Sequence, residues 1–162
     1  MIPPDLDPAV LAAALGAGDV ACVELAVPAD AAAARAAVER LRDIAQAAGA
    51  AFLLRGDPAL AAKAQCDGVV VDAAGYGAAR KAVGGQAIVG VVAGTSRHEA
   101  MEAGEAGADF IGFDADPEIV SWWTEMMEIP CVAALPDADF RRLAAEGWID
   151  PQAAAAAVRA LG

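Results

Sequence analysis

An α/β fold of repeated strand–helix units on a parallel sheet is the architecture this sequence predicts, and three observations carry it. Short β-branched runs alternate with amphipathic stretches along the chain. The runs are near-continuously apolar, as in parallel strands covered on both faces. Asp-Pro pairs and glycines recur at the boundaries, where helices start and stop. Strict alternation of this kind gives right-handed crossovers between parallel strands.

The elements follow in order. A helix is predicted over 8–15, opened by Asp7 as N-cap with Pro8 at the first helical position. The first strand is 20–27, and a long helix over 30–48 runs to Gly49. The second strand is 51–55, after which Asp57-Pro58 opens a helix over 58–64. The third strand is 68–72, with a helix over 76–83 that Gly84-Gly85 ends. The fourth strand is 87–93. Ser96-Arg97-His98-Glu99 reads as a capping box for a helix over 96–106, closed by Gly107. The fifth strand is 109–113, and Asp116-Pro117 opens a helix over 117–128. The sixth strand is 131–135, followed by helices over 139–146 and 151–161, the last behind Asp150-Pro151. Many acidic residues are thereby explained as caps. No linker or low-complexity stretch divides residues 1–162, so one domain is expected.

Composition narrows the function classes. The formal net charge of −12 repels nucleic acid and anionic membranes, so neither is an expected partner. No apolar run reaches the length of a membrane span, and Met1-Ile2-Pro3-Pro4-Asp5 lacks a basic-then-apolar leader, so a cytoplasmic protein is expected. Cys22, Cys66 and Cys131 are far apart and His98 is the sole histidine, which argues for reduced thiols against a zinc site or disulfide framework. No G-x-G-x-x-G follows a strand, so dinucleotide binding has little support. Trp122-Trp123 with Met126-Met127 gives one helix two large apolar faces. One of them suits either an interface or an edge of the sheet.

The stretch Ile88-Val89-Gly90-Val91 and the later Glu102-Ala103-Gly104-Glu105-Ala106-Gly107-Ala108-Asp109-Phe110-Ile111-Gly112-Phe113 resemble the thiamine-phosphate synthase and TenI-like thiazole tautomerase family. Further likenesses lie at 18–25, 51–54, 66–71 and 129–133, matching that family's second, third, fourth and seventh strands in order. The resemblance covers about residues 3–147. It implies a TIM-barrel-like fold, here incomplete, with the first strand missing and the eighth degenerate around Gly147-Trp148-Ile149. A full barrel takes ~200 residues or more. Unpaired strand edges must be covered or paired, so a homo-oligomer through the uncovered barrel edges is expected.

The resemblance also implies where chemistry belongs, at the C-terminal strand ends. That family joins a pyrimidine pyrophosphate to a thiazole phosphate. It usually shows Gln-x-Arg and a lysine after its second strand, where this chain has Glu24, Ala26 and Pro28. Its Asn-Asp-Arg becomes Arg55, Gly56 and Asp57, and its fourth-strand histidine becomes Val70. A histidine after its fifth strand becomes Gly94, and a Gly-Gly phosphate cradle becomes Leu135-Pro136-Asp137.

The expectation is therefore a relative that has lost synthase and tautomerase chemistry and binds a small molecule or a protein. The alternative is residual synthase activity or another metal-assisted reaction of thiamine metabolism, with Mg²⁺ as its cofactor. A third reading is a truncated product with no role of its own. The candidate ligand-binding residues are Glu24, Arg55, Thr95 and Asp114. Asp72 and Asp114 end strands and, with Glu24, form the candidate metal set, although strand-end aspartates also cap loop amides. His98 and Asp72 are the candidate catalytic groups, His98 against the reading of an exposed helix-start histidine. Arg55 either holds an anion or pairs with Glu24 or Asp72, and the pair is favoured.

Overall fold

The computed structural model describes residues 1–16, 18, 20–114 and 116–133. Six strands form one parallel sheet in sequential order: β1 (Cys22–Ala26), β2 (Ala51–Arg55), β3 (Gly68–Asp72), β4 (Ile88–Gly94), β5 (Phe110–Phe113) and β6 (Cys131–Ala133). Helices α1 (Pro8–Leu15), α2 (Ala31–Ala47), α3 (Pro58–Lys63), α4 (Tyr76–Val83), α5 (Arg97–Glu105) and α6 (Pro117–Met126) alternate with them. Sequential order with crossovers of one hand puts every connecting helix on one face and curls the sheet toward the other. The result is a TIM-barrel-like sheet whose β1 and β6 do not pair with each other among the described residues.

Side-chain alternation divides the sheet. Val23, Leu25, Phe52, Leu54, Val69, Val71, Val89, Val91 and Ile111 join the helices in the main core. The opposite, concave face carries Glu24 and Ala26 of β1, Leu53 and Arg55 of β2, Val70 of β3 and Gly90 of β4. In one row the register pairs Ala26, Arg55, Val70, Gly90 and Phe110 in succession. Phe110 closes over Gly90 so tightly that a methyl there would lie 2.1 Å from the ring.

The caps form where the sequence places them. Asp7, Asp30, Asp57 and Asp116 accept from Ala9 N (2.8 Å), Ala33 N (2.7 Å), Leu60 N (2.8 Å) and Glu118 N (2.9 Å). Each satisfies an amide that the helix itself leaves open. The capping box at Ser96 is only half made. Ser96 Oγ accepts from Glu99 N (3.2 Å), but Ser96 N donates back to Ala93 O (2.9 Å), so the Glu99 carboxylate has no amide to reach.

Beyond the six strands, one residue extends the sheet. Ile2 bridges β1 in parallel, its N–H donating to Glu24 O (2.7 Å) and its carbonyl accepting from Ala26 N (3.0 Å). One residue thus blunts the β1 edge, and Arg40 pins the segment through the carbonyl of Pro4. Trp123 is fully buried, T-stacked on Phe113, with its indole N–H donating to Ile129 O (2.7 Å). Trp122 is half-buried beneath Arg97, whose guanidinium carbon stands 4.7 Å from the ring centre. The helices at 139–146 and 151–161, the end of the sixth strand and Gly147-Trp148-Ile149 lie outside the described residues.

Candidate active site at the strand tips

The concave face and the C-terminal strand ends meet at Glu24 and Arg55. The register sets Glu24 opposite Leu53 and Ala26 opposite Arg55, so Glu24 and Arg55 are diagonal neighbours on one face. Their side chains form an ion pair, Arg55 Nε against Glu24 Oε1. It is part-buried, with side-chain exposures of 38% for Arg55 and 20% for Glu24. Oε1 is buried and meets Nε without an aligned hydrogen bond, so attraction alone holds the contact. The rest of the guanidinium fork has no partner among the described residues. Gly56 follows at φ +81°, and a Cβ built on it meets nothing within 4 Å. Arg55 is the one cationic side chain on a strand among the described residues.

The remaining candidates do not gather there. Asp72 Oδ1 accepts from Gly75 N (2.7 Å), so its carboxylate folds back over the turn into α4. Asp114 stands beside Gly94, whose carbonyl accepts from its N–H (3.0 Å), and is exposed. Thr95 is exposed in the turn between β4 and α5. His98 is 82% exposed and faces Glu102 at 3.5 Å one turn along α5. An imidazole in open solvent lacks the partner and enclosure that a general base needs.

Glu24, Asp72 and Asp114 do not form a metal set: among the described residues no three His, Cys, Asp or Glu side chains are placed to hold an ion. Glu24 is engaged by Arg55 and Asp72 by a backbone amide, so the donors present do not fit Mg²⁺. A cleft of about 530 Å³ between α4 and α5 is lined by Asp72, Tyr76, Gly77, Glu99 and Glu102 among others. Its carboxylates repel a phosphate ester, so size does not make it the substrate site. The sequence reading missed this cleft, because the two helices that frame it are joined only through the fold. The cysteines are free, half-buried thiols whose pKa values are raised, chiefly by burial; Cys66 is pushed up to about 11.

Comparison with known proteins now bears on the frame. The family model described as Thiamine monophosphate synthase matches residues 4–134. The thiamine-phosphate synthase of Rhodospirillum centenum is 45% identical over 188 aligned positions, covering 96% of this chain and 91% of that protein. The alignment is longer than this chain's 162 residues, so that relative carries segments absent here. The thiamine-phosphate synthase of Hyphomonas neptunium is 33% identical, covering 90% of this chain and 80% of that protein. Thiamine phosphate pyrophosphorylase from Pyrococcus furiosus shares the fold at a TM-score of 0.75 and 19% identity, covering 98% of this chain and 92% of that one. These relatives overturn the expectation of a frame that has lost its chemistry, since the similarity runs through nearly the whole length of proteins named as synthases. The chain belongs to the thiamine monophosphate synthase family.

Proposed function

We propose that the protein is a thiamine-phosphate synthase, which joins a pyrimidine diphosphate to a thiazole phosphate. The carrying observation is the 45% identity to a thiamine-phosphate synthase across 91% of that protein's length. In this reaction the thiazole nitrogen forms a bond to the pyrimidine methylene carbon. The bond from that carbon to oxygen breaks, and pyrophosphate leaves with the electron pair.

On the concave face, half-buried Phe110 shares a row with Arg55 and offers apolar surface to the organic part of a substrate. Binding two phosphate esters side by side converts the coupling into a local encounter, which supplies much of the rate. We also propose that the protein works in the cytoplasm as a homo-oligomer. No described helix is long and apolar enough to cross a membrane, and the sheet has two ends that do not pair with each other.

The purified protein, given both substrates, should release pyrophosphate in step with thiamine phosphate, with neither product when one substrate is omitted. Absence of thiamine phosphate at substrate concentrations that saturate binding would remove this reading.

A further inference from the structure

The cleft between α4 and α5 takes in neither Glu24 nor Arg55. Its volume of about 530 Å³ is that of a small-molecule site. Buried Ala103 gives it apolar wall, and Tyr76 adds an aromatic ring. Arg80 holds that ring, its Nε donating to the phenol oxygen (3.4 Å), while its own charge is matched by Asp109. Asp72, Glu99 and Glu102 line the cleft with carboxylates, and no Lys or Arg stands among the described residues that line it. The Glu99 carboxylate has no partner among the described residues, and Glu102 has only His98, at 3.5 Å. A concave site with one sign of charge concentrates ions of the other. Gly77 is an independent sign of use. It stands in the first turn of α4, where alanine is the better helix former, yet a Cβ on it would meet nothing within 4 Å. No packing contact requires this glycine, and its bare backbone leaves the cleft open.

We infer that this cleft is a second binding site, for a small organic cation that carries a flat ring and no phosphate. The carboxylates attract the charge, and Tyr76 offers its ring to the ligand's. A phosphate on the ligand would be repelled. A bare metal ion does not fit, because no three carboxylates converge among the described residues. The synthase reading supplies a cation of this kind. Bonding the thiazole nitrogen to carbon leaves that ring with a fixed positive charge. Thiamine, the coupled product without its phosphate, is therefore the probe. The choice of probe rests on the synthase reading; the site itself rests on the cleft.

Tyr76 is the only tyrosine in the sequence, so its ring resonances report on the cleft alone. In the full-length protein they should shift and saturate as thiamine is added. Thiamine phosphate should shift them less at equal concentration. Added salt should weaken the binding, because exposed carboxylates are screened. Glu99→Gln combined with Glu102→Gln should weaken it about fivefold, the scale of two exposed charges. Gly77→Leu should abolish the response, by filling the cleft without displacing a neighbour. A urea midpoint near that of wild type establishes that each variant is folded.

The inference is overturned if the Tyr76 resonances of wild type stay fixed at millimolar thiamine, a readout that needs no variant. It is equally overturned if thiamine phosphate binds there as tightly as thiamine, if the double variant binds like wild type, or if folded Gly77→Leu still responds. The coupling assay keeps the two ideas apart. Thiamine bound in the cleft of a protein that forms no thiamine phosphate from the two substrates sinks the synthase reading alone. Turnover in a protein whose Tyr76 is silent to thiamine sinks this inference alone.

Discussion

The two ends of the sheet are built by different rules. At the N-terminal ends of the strands, carboxylates serve as staples. Asp67 Oδ2 accepts from Phe52 N (2.7 Å) and Gln46 Nε2 (2.9 Å), and Asp109 Oδ2 accepts from Val89 N (2.7 Å) while also holding Arg80. Each reaches from the start of its own strand to the start of the preceding one, so the same device recurs along the sheet. At the C-terminal ends, Glu24 and Arg55 meet without an aligned hydrogen bond, and Asp114 and Thr95 face solvent. The lower end fixes register and leaves its polar groups satisfied. The upper end keeps a charged pair without an aligned hydrogen bond, at the strand ends where barrel proteins carry their sites.

Packing sharpens the contrast. A Cβ on Gly68, at the lower end of β3, would lie 2.0 Å from Ile88 O, a backbone atom of the neighbouring strand. A Cβ on Gly56, at the upper end of β2, would meet nothing. Gly68→Ala should therefore force β3 and β4 apart and cost about 3 kcal/mol, at the upper side of overpacking penalties. Urea unfolding at constant slope would measure it. A variant as stable as wild type would break the contrast, by showing that the lower end yields as easily as the upper.

Asp109→Ala is the next largest effect. It strands the Val89 amide and leaves Arg80 without its carboxylate, at a cost of about 1.5 kcal/mol for a half-exposed group. The same urea experiment reads it. Coupling activity, measured under conditions where the variant is fully folded, should be unchanged. A large loss of turnover in the folded variant would mean the two ends are not separable in function.

The helix caps and strand bounds were legible in the sequence and the ion pair at the strand tips was not, for physical reasons. Asp7, Asp57 and Asp116 reveal themselves because a cap acts on amides two or three residues away, within the reach of a sequence window. The β2 and β3 boundaries follow from apolar runs whose burial is nearly uniform. Glu24 and Arg55 lie on different strands. Their pairing depends on the register of β1 against β2, and the sequence left Asp72 as an equal partner for Arg55. Asp72 instead turns to Gly75, a choice made by the loop. Loss of the family's usual strand-tip residues suggested loss of chemistry, yet relatives named as synthases match nearly the full chain. Side chains counted one position at a time miss a cation supplied from the neighbouring strand, as Arg55 is beside Ala26.

The smallest effect belongs to Cys66, which sits at the lower end just before Asp67. Burial is the main reason that its thiol is pushed up to about 11, with Arg42 acting against it and Asp67 with it. The folded protein therefore keeps this proton at a pH where the unfolded chain has released it. The stability this confers is complete below the unfolded value of 9.0 and is lost as pH rises toward about 11. Urea midpoints of wild type and Cys66→Ala, compared across that interval, should converge or cross in the direction of the variant. The change should be smaller than that of Asp109→Ala, because a half-buried thiolate is partly hydrated. A difference between the two proteins that stays constant with pH would show that the thiol ionises in the folded state as freely as in the unfolded one, and that the lower end is wetter than its packing implies.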